Sequence, residues 1–264
     1  MILSYMGKMM ERLKRIRIVK SIVYTLVGSF YYPALVWINR LKISGTEHLE
    51  NLPRQNVLFV SNHQTYFADV IAVLHAFCAV KWHKRNKLGV PYYLLNPFTN
   101  VYYVGAAKTL ESTWLTRLFS LAGAIPVKRT WNLDANEERK GLDTSDIRKI
   151  ERALAESWVI TFPQGTTTPF APGRKGTAFI IKHAKPIVIP IVIGGFNVAF
   201  DKKGLRFKKR GTQLSITFKE PMNIDYDAPA DKILADIMDQ IEQSKKFMPG
   251  HTTIEGKKNV TQEQ

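Results

Sequence analysis

The chain is predicted to be α/β, a single domain with a largely parallel central sheet flanked by helices. An N-terminal membrane-associated helical segment precedes it. Three observations predict this. From residue 41 onward, short β-prone apolar runs alternate with segments of helical spacing, the signature of strand–helix–strand units. One run, NVLFVSN at 56–62, is continuously apolar over most of its length, as in a strand covered on both faces. The 264 residues are 45% hydrophobic and 23% charged, near the globular norm and enough for one substantial core.

The N-terminus is read first. Residues 1–20 carry six cations (Lys8, Arg12, Lys14, Arg15, Arg17 and Lys20) against Glu11 alone, and residues 21–39 carry no charge. A helix of 19 residues is roughly 28 Å long, close to the thickness of a bilayer's hydrocarbon core. Gly28 and Pro33 interrupt it, while Tyr31, Tyr32 and Trp37 favour the membrane boundary. A spanning helix, a buried core helix and a signal peptide compete with an interfacial or re-entrant anchor. No small-x-small cleavage pattern follows the run, which disfavours the signal peptide. The anchor is the preferred reading, with basic residues on anionic headgroups.

The domain elements follow in order. LKISGTE (41–47) reads as a short strand turning at Gly45, and 56–62 as the buried strand. Residues 68–80 are a helix, 101–107 a strand, and 112–124 a helix with Ser112 as N-cap. Residues 125–129 are a strand end, 143–157 a helix, 158–162 a strand and 175–184 a short helix. PIVIPIVIG (186–194) is a strand whose internal proline predicts a bend or an edge position. Residues 213–220 alternate as a half-buried strand, and 228–247 form an amphipathic closing helix. Residues 81–100, basic and then aromatic, read either as a second membrane contact or as a surface loop packed by its own aromatics. The division expected is 1–40 anchor, 41–250 domain and 251–264 polar tail.

Charge narrows the partners. Thirty-eight Lys and Arg against 22 Asp and Glu give +16, which points to a polyanion: nucleic acid, a phosphate-bearing small molecule or an anionic membrane. Lys202, Lys203, Arg206, Lys208, Lys209 and Arg210 around Phe207 could track a nucleic-acid backbone. No RNA-binding aromatic signature, helix-turn-helix or zinc spacing accompanies them. Cys78 is the single cysteine; it excludes an intramolecular disulfide and reads as a small buried hydrophobe.

In parallel α/β sheets ligands gather beyond the carboxyl ends of the strands, so the residues after each strand matter most. After 56–62 come His63 and, a few residues on, Asp69. This is a base-and-orienter pair that can activate a substrate hydroxyl; a turn histidine beside a helix cap is the competing reading. After 158–162 come Gln164, Gly165, Thr166 and Thr167, a candidate anion or oxyanion loop through backbone N–H groups, or an ordinary turn. Lys128 and Arg129, with Arg174 and Lys175, could hold a phosphate or be solvated surface charges.

The order of these pieces resembles the glycerolipid acyltransferase family, 1-acylglycerol-3-phosphate acyltransferases in particular. Asn62-His63…Asp69 resembles its first motif with one extra residue. Gly123-Ala124-Ile125-Pro126-Val127-Lys128-Arg129 resembles the second. Phe162-Pro163-Gln164-Gly165-Thr166-Thr167-Thr168 resembles the third, and Ile187-Val188-Ile189-Pro190-Ile191 the fourth. The likeness covers roughly residues 41–225. It implies transfer of a fatty acyl group from acyl-CoA or acyl carrier protein to the free hydroxyl of a lysolipid, with no metal or bound cofactor. The first acceptor implied is 1-acylglycerol-3-phosphate, giving phosphatidic acid in phospholipid biosynthesis; a lyso-aminolipid or another lysophospholipid is the alternative. His63 would be the general base and Asp69 its orienter. Lys128, Arg129, Gln164, Gly165, Thr166, Thr167, Arg174 and Lys175 would bind substrate. Anionic membrane lipids would be partners and nucleic acid would not, with the protein on the cytoplasmic face of the inner or plasma membrane.

Three departures from the motifs bear on the site. On a regular helix, six residues correspond to about 600°, so His63 and Asp69 meet only if part of 64–67 is loop and the helix starts near Ala68. Gln164 replaces a glutamate and loses its charge. Thr167 replaces an arginine, which removes a cation from the expected phosphate site unless Arg174 or Lys175 substitutes.

Overall fold

The computed structural model describes residues 2–110, 119, 121–127 and 144–249. Seven strands form one sheet: β1 (Arg40–Ser44), β2 (Val57–Ser61), β3 (Val101–Ala106), β4 (Ala124–Val127), β5 (Trp158–Thr161), β6 (Ile187–Gly194) and β7 (Gln213–Phe218). Their order is β1-β7-β6-β2-β5-β3-β4. Every neighbouring pair is parallel except β6 and β7. The sheet is thus five parallel strands with β7 and β1 running the other way at one end.

The helices are α1 (Ile2–Pro33), α2 (Ala68–Lys81), α3 (Ala107–Leu110), α4 (Thr144–Leu154), α5 (Lys175–Ala184), α6 (Phe196–Ala199) and α7 (Ala230–Gln240). A π-helical turn, Ala34–Ile38, follows Pro33, whose missing N–H interrupts the α pattern. Helices cover both faces of the sheet. Side chains of β2 alternate between two cores: Val57 and Phe59 face α1 and α2, while Leu58 and Val60 face α4, α5 and α7. That is why this strand is apolar without alternation. Around Phe59, the rings of Phe77 and Trp158 stand at 4.7 and 5.3 Å, so aromatic packing joins α2 to two central strands.

Two expectations are revised. Pro190 lies inside the sheet, with β6 between β2 and β7. Its carbonyl accepts the Lys219 N–H, so its nitrogen faces the same side, where β7 has just ended at Phe218. The missing donor therefore costs no ladder bond. Of the helix expected at 112–124, residues 112–118 and 120, Ser112 included, lie outside the described residues. Residues 121–123 are a turn into β4.

Residues 17–38 pack along the sheet face beside α2. Val23, Tyr24, Tyr31, Tyr32 and Leu35 are buried. The Tyr24 hydroxyl donates to the Ala122 carbonyl at 3.1 Å, Thr25 Oγ1 to Leu94 at 2.6 Å and Tyr32 to Gly89 at 2.5 Å. The opposite side of the helix exposes Ile18, Ile22, Leu26 and Phe30, one stripe at i, i+4 spacing. The segment 81–100 also has two sides. Tyr93 and Leu94 are buried, as in a loop packed by its own aromatics, while Val90, Tyr92 and Leu95 are exposed.

Candidate active site

The site forms where β2 leaves the sheet. Asn62 continues the β2–β6 ladder with its side chain: its amide donates to the Ile193 carbonyl at 2.8 Å and accepts the Ile193 N–H at 2.7 Å. The backbone is thereby free to turn, and His63 stands at the strand's carboxyl end. Its ring stacks on Phe162, just beyond β5, with centroids 4.0 Å apart.

Helix α2 begins at Ala68, the start that the spacing of His63 and Asp69 requires. Residues 64–67 form the intervening loop, and His63 Nδ1 meets Asp69 Oδ2 at 3.2 Å. The Asp69 carboxylate is fully buried. It accepts from the Gln64 N–H at 2.5 Å, from the Thr65 N–H at 3.0 Å and from Thr65 Oγ1 at 2.6 Å. Each donor offsets part of the cost of burying a charge, and the first turn of α2 favours a carboxylate as well. An ionised carboxylate only accepts, so the shared proton belongs on Nδ1 and the lone pair on His63 Nε2. Only 13% of the His63 side chain is exposed, so the imidazole is largely shielded from bulk water.

His63, Tyr66, Tyr103, Gly105, Thr109 and Phe162 line a cleft. A second, apolar pocket lies between α1 and α2. The two share Phe67, Val70 and Tyr103 as lining. His75, at the pocket's far side, is buried, and its Nδ1 lies 2.9 Å from the Tyr93 hydroxyl.

The remaining candidates are placed less uniformly. Gln164 turns inward: its Nε2 donates to the Ala171 carbonyl at 3.0 Å and to Gln243 Oε1 at 3.2 Å. It braces the 163–174 loop against the C-terminal segment. The Gly165 N–H is already given to the Phe162 carbonyl at 2.9 Å, which removes it as an oxyanion donor. The N–H groups of Thr166 and Thr167 have no acceptor among the described residues. Gly165 takes φ +61°, and a Cβ there would come 2.9 Å from Arg174 Cζ, so the guanidinium lies directly over this loop. Lys175 pairs instead with Asp231 of α7 at 2.8 Å, both exposed, and is not brought to His63. Strand β4 ends at Val127 on the same rim as β2; Lys128 and Arg129 lie outside the described residues.

Sequence reasoning missed Thr65, which locks Asp69, and Asn62, which replaces a rung of the ladder. The first was readable as a hydroxyl residue just before a helix. The second had no local signal, because its partner is 131 residues away.

Comparison with known proteins agrees with this architecture. The family model described as "Acyltransferase" matches residues 40–194, from β1 through β6, a stretch that includes His63, Asp69 and the 162–168 loop. Among solved structures, the 1-acyl-sn-glycerophosphate (LPA) acyltransferase PlsC from Thermotoga maritima superposes with a TM-score of 0.50 at 16% identity. It covers 85% of this chain and 79% of that one; at such identity the likeness is one of fold. No curated protein matches.

Proposed function

The chain belongs to the acyltransferase family, and from that premise we propose that it moves a fatty acyl group from a thioester donor to the free hydroxyl of a lysolipid, with His63 as general base. The observation that carries the proposal is the pairing of His63 Nδ1 with the buried Asp69 carboxylate at 3.2 Å, beside a cleft that adjoins an apolar pocket. His63 Nε2 takes the proton of the acceptor hydroxyl as its oxygen attacks the thioester carbonyl. The tetrahedral oxyanion collapses, the C–S bond breaks, and the imidazolium returns the proton to the leaving thiolate. Asp69 holds Nδ1–H throughout. General base catalysis of this kind contributes roughly 10²–10⁴-fold. The N–H groups of Thr166 and Thr167 are the proposed oxyanion donors, worth roughly 10²–10³-fold each in comparable sites. The pocket between α1 and α2 is apolar, as a site for the acyl chain requires.

The acceptor proposed is 1-acylglycerol-3-phosphate. Arg174 above Gly165, with Lys128 and Arg129, would supply cations for its phosphate. A lyso-aminolipid remains the second reading, because Thr167 stands where the motif has an arginine and Lys175 is committed to Asp231. The donor proposed is acyl-CoA or acyl carrier protein, both cytosolic, which puts the site on the cytoplasmic face. Residues 17–38 have the length and hydropathy of a membrane segment. One side of that segment packs on the domain, which supports an anchor lying in one leaflet rather than crossing both.

The test is an acceptor screen. The purified full chain on vesicles is given labelled acyl-CoA or acyl carrier protein with 1-acylglycerol-3-phosphate, other lysophospholipids and lyso-aminolipids. Phosphatidic acid is the expected product, and His63→Ala should abolish it while leaving folding and vesicle binding unchanged. Turnover by His63→Ala at the wild-type rate would reject the base assignment. Product only from an aminolipid would select the second reading.

A further inference from the structure

The segment between β6 and β7 carries charge that the chemistry above does not use. Lys202, Lys203, Arg206, Lys208, Lys209 and Arg210 lie within nine residues and are exposed. None of them enters an ion pair among the described residues. The nearby acid, Asp201, turns its Oδ1 to the backbone N–H groups of Leu205 and Arg206 at 2.8 and 3.2 Å. A bridge between Phe200 and Phe207, their rings stacked at 5.4 Å, closes the hairpin.

This hairpin has two attachments. One is to the end of the N-terminal segment. The Tyr31 hydroxyl donates to the Gly204 carbonyl at 2.7 Å, the Gly211 N–H to the Ile38 carbonyl at 2.9 Å and the Thr212 N–H to Asn39 Oδ1 at 3.1 Å. Phe30 and Trp37, about three-quarters exposed, belong to this same end. The other attachment is to the catalytic loop. The Tyr66 N–H donates to the Lys202 carbonyl at 3.0 Å, and Lys202 Nζ lies 5.8 Å from the Tyr66 ring centroid. Gly204, at φ +81°, packs so tightly that a Cβ would stand 2.7 Å from Ala68 N and 3.0 Å from Thr65 Oγ1. That Thr65 hydroxyl is the one that donates to Asp69.

We propose that the hairpin 200–211 binds anionic phospholipid headgroups and, when bound, braces the 63–67 loop, so that turnover depends on the charge of the membrane surface. Clustered cations beside Phe207, next to exposed aromatics at the end of an apolar stripe, are the composition of a membrane boundary rather than of a soluble polyanion's groove. The bracing is mechanical: the hairpin touches the residues that fix the His63–Asp69 geometry and not His63 itself. Only the turnover readout rests on the acyl-transfer proposal; the binding readout does not.

The full chain is compared with Lys203→Glu/Arg206→Glu/Lys209→Glu on neutral phosphatidylcholine vesicles and on vesicles with added phosphatidylglycerol. A neutral set, Lys203→Gln/Arg206→Gln/Lys209→Gln, serves if charge reversal impairs folding. Each cation near an anionic surface is worth roughly fivefold in partition, so the neutral set should bind anionic vesicles about 100-fold more weakly, and the reversal set more weakly still. With enough vesicles to bind all the protein, wild-type kcat should rise with phosphatidylglycerol content and that of the variants should not. Amide exchange over residues 63–67 should slow on anionic vesicles in the wild type alone. Wild-type affinity in the variants would overturn the docking surface. A wild-type kcat and exchange rate that ignore surface charge would overturn the bracing. Tighter, hairpin-dependent binding of acidic acyl carrier protein than of anionic vesicles would assign the surface to that partner instead. Absence of transfer to every acceptor would reject the acyl-transfer proposal while leaving the binding and exchange results to decide this one.

Discussion

Asp69 shows how much of this site is held by hydrogen bonds that do no chemistry. Its carboxylate faces two N–H groups, a hydroxyl and an imidazole. Asp69→Asn keeps the size but turns an amide NH₂ toward at least one of those donors. It should cost about 1–3 kcal/mol in stability and lower acyl transfer by roughly 10²-fold or more, measured by urea unfolding and initial rates. His75 makes a prediction of another kind. Burial pushes its pKa down to about 4, against a smaller opposing pull from the Gly28 backbone. The unfolded chain takes up a proton near pH 6.5 and the folded one near 4, so the stability this group confers is complete above about pH 6.5. It is lost as pH falls toward 4, by roughly 2 kcal/mol at pH 5. Unfolding at pH 7 and pH 5 should show that loss, and His75→Gln should remove this part of it. Cys78 is inert in the same interior: it is buried, its thiol is pushed up to about 12, and its sulfur accepts the Phe98 N–H at 3.2 Å.

Among the elements, α2 has two duties. Its first turn carries Asp69, and the face behind carries Val70, which lines both the cleft beside His63 and the apolar pocket. Val70→Phe should shorten the space available beyond the thioester. With acyl donors of graded length, the variant should favour shorter chains, with kcat/KM for long ones falling roughly tenfold or more against short ones. Seven strands were legible because each is a β-prone run bounded by turn residues, and β2 announced its central position by lacking alternation. Pro190 misled in one respect. A proline in a strand predicts an edge, and only the point where β7 stops reveals that its nitrogen has no rung to lose. The loop 64–67 was legible as a requirement, since His63 and Asp69 could not share a helix face. The inward turn of Gln164 was not, because Ala171 and Gln243 become its neighbours only through the fold.

At the scale of the molecule, composition gave the sign of the charge but not its address. The sheet order, with β7 and β1 reversed, brings the end of the N-terminal segment to the rim where β2 releases His63, and no single stretch of sequence encodes that meeting. The segment itself has two sides. Val23, Tyr24, Tyr31 and Leu35 complete the core, while Ile22, Leu26 and Phe30 are exposed. Replacing Ile22, Leu26 and Phe30 together by Ser should weaken vesicle binding by roughly 10²–10³-fold with little change in the unfolding midpoint, read by flotation and by calorimetry. A midpoint that collapses with it would mean that these side chains serve the core after all.

The packing of this segment also orders events during synthesis. Residues 17–38 emerge early, but the surfaces that bury their inner side, α2 and residues 91–95, are made some fifty residues later. Chains grow at about 5–20 residues per second, so for several seconds the segment has no protein to pack against. On the anchor proposal the bilayer is the first apolar phase it meets, and the domain would then assemble onto a helix already moored. Translation in the absence of membranes should therefore yield chains that associate through this uncovered stretch before the sheet closes over it.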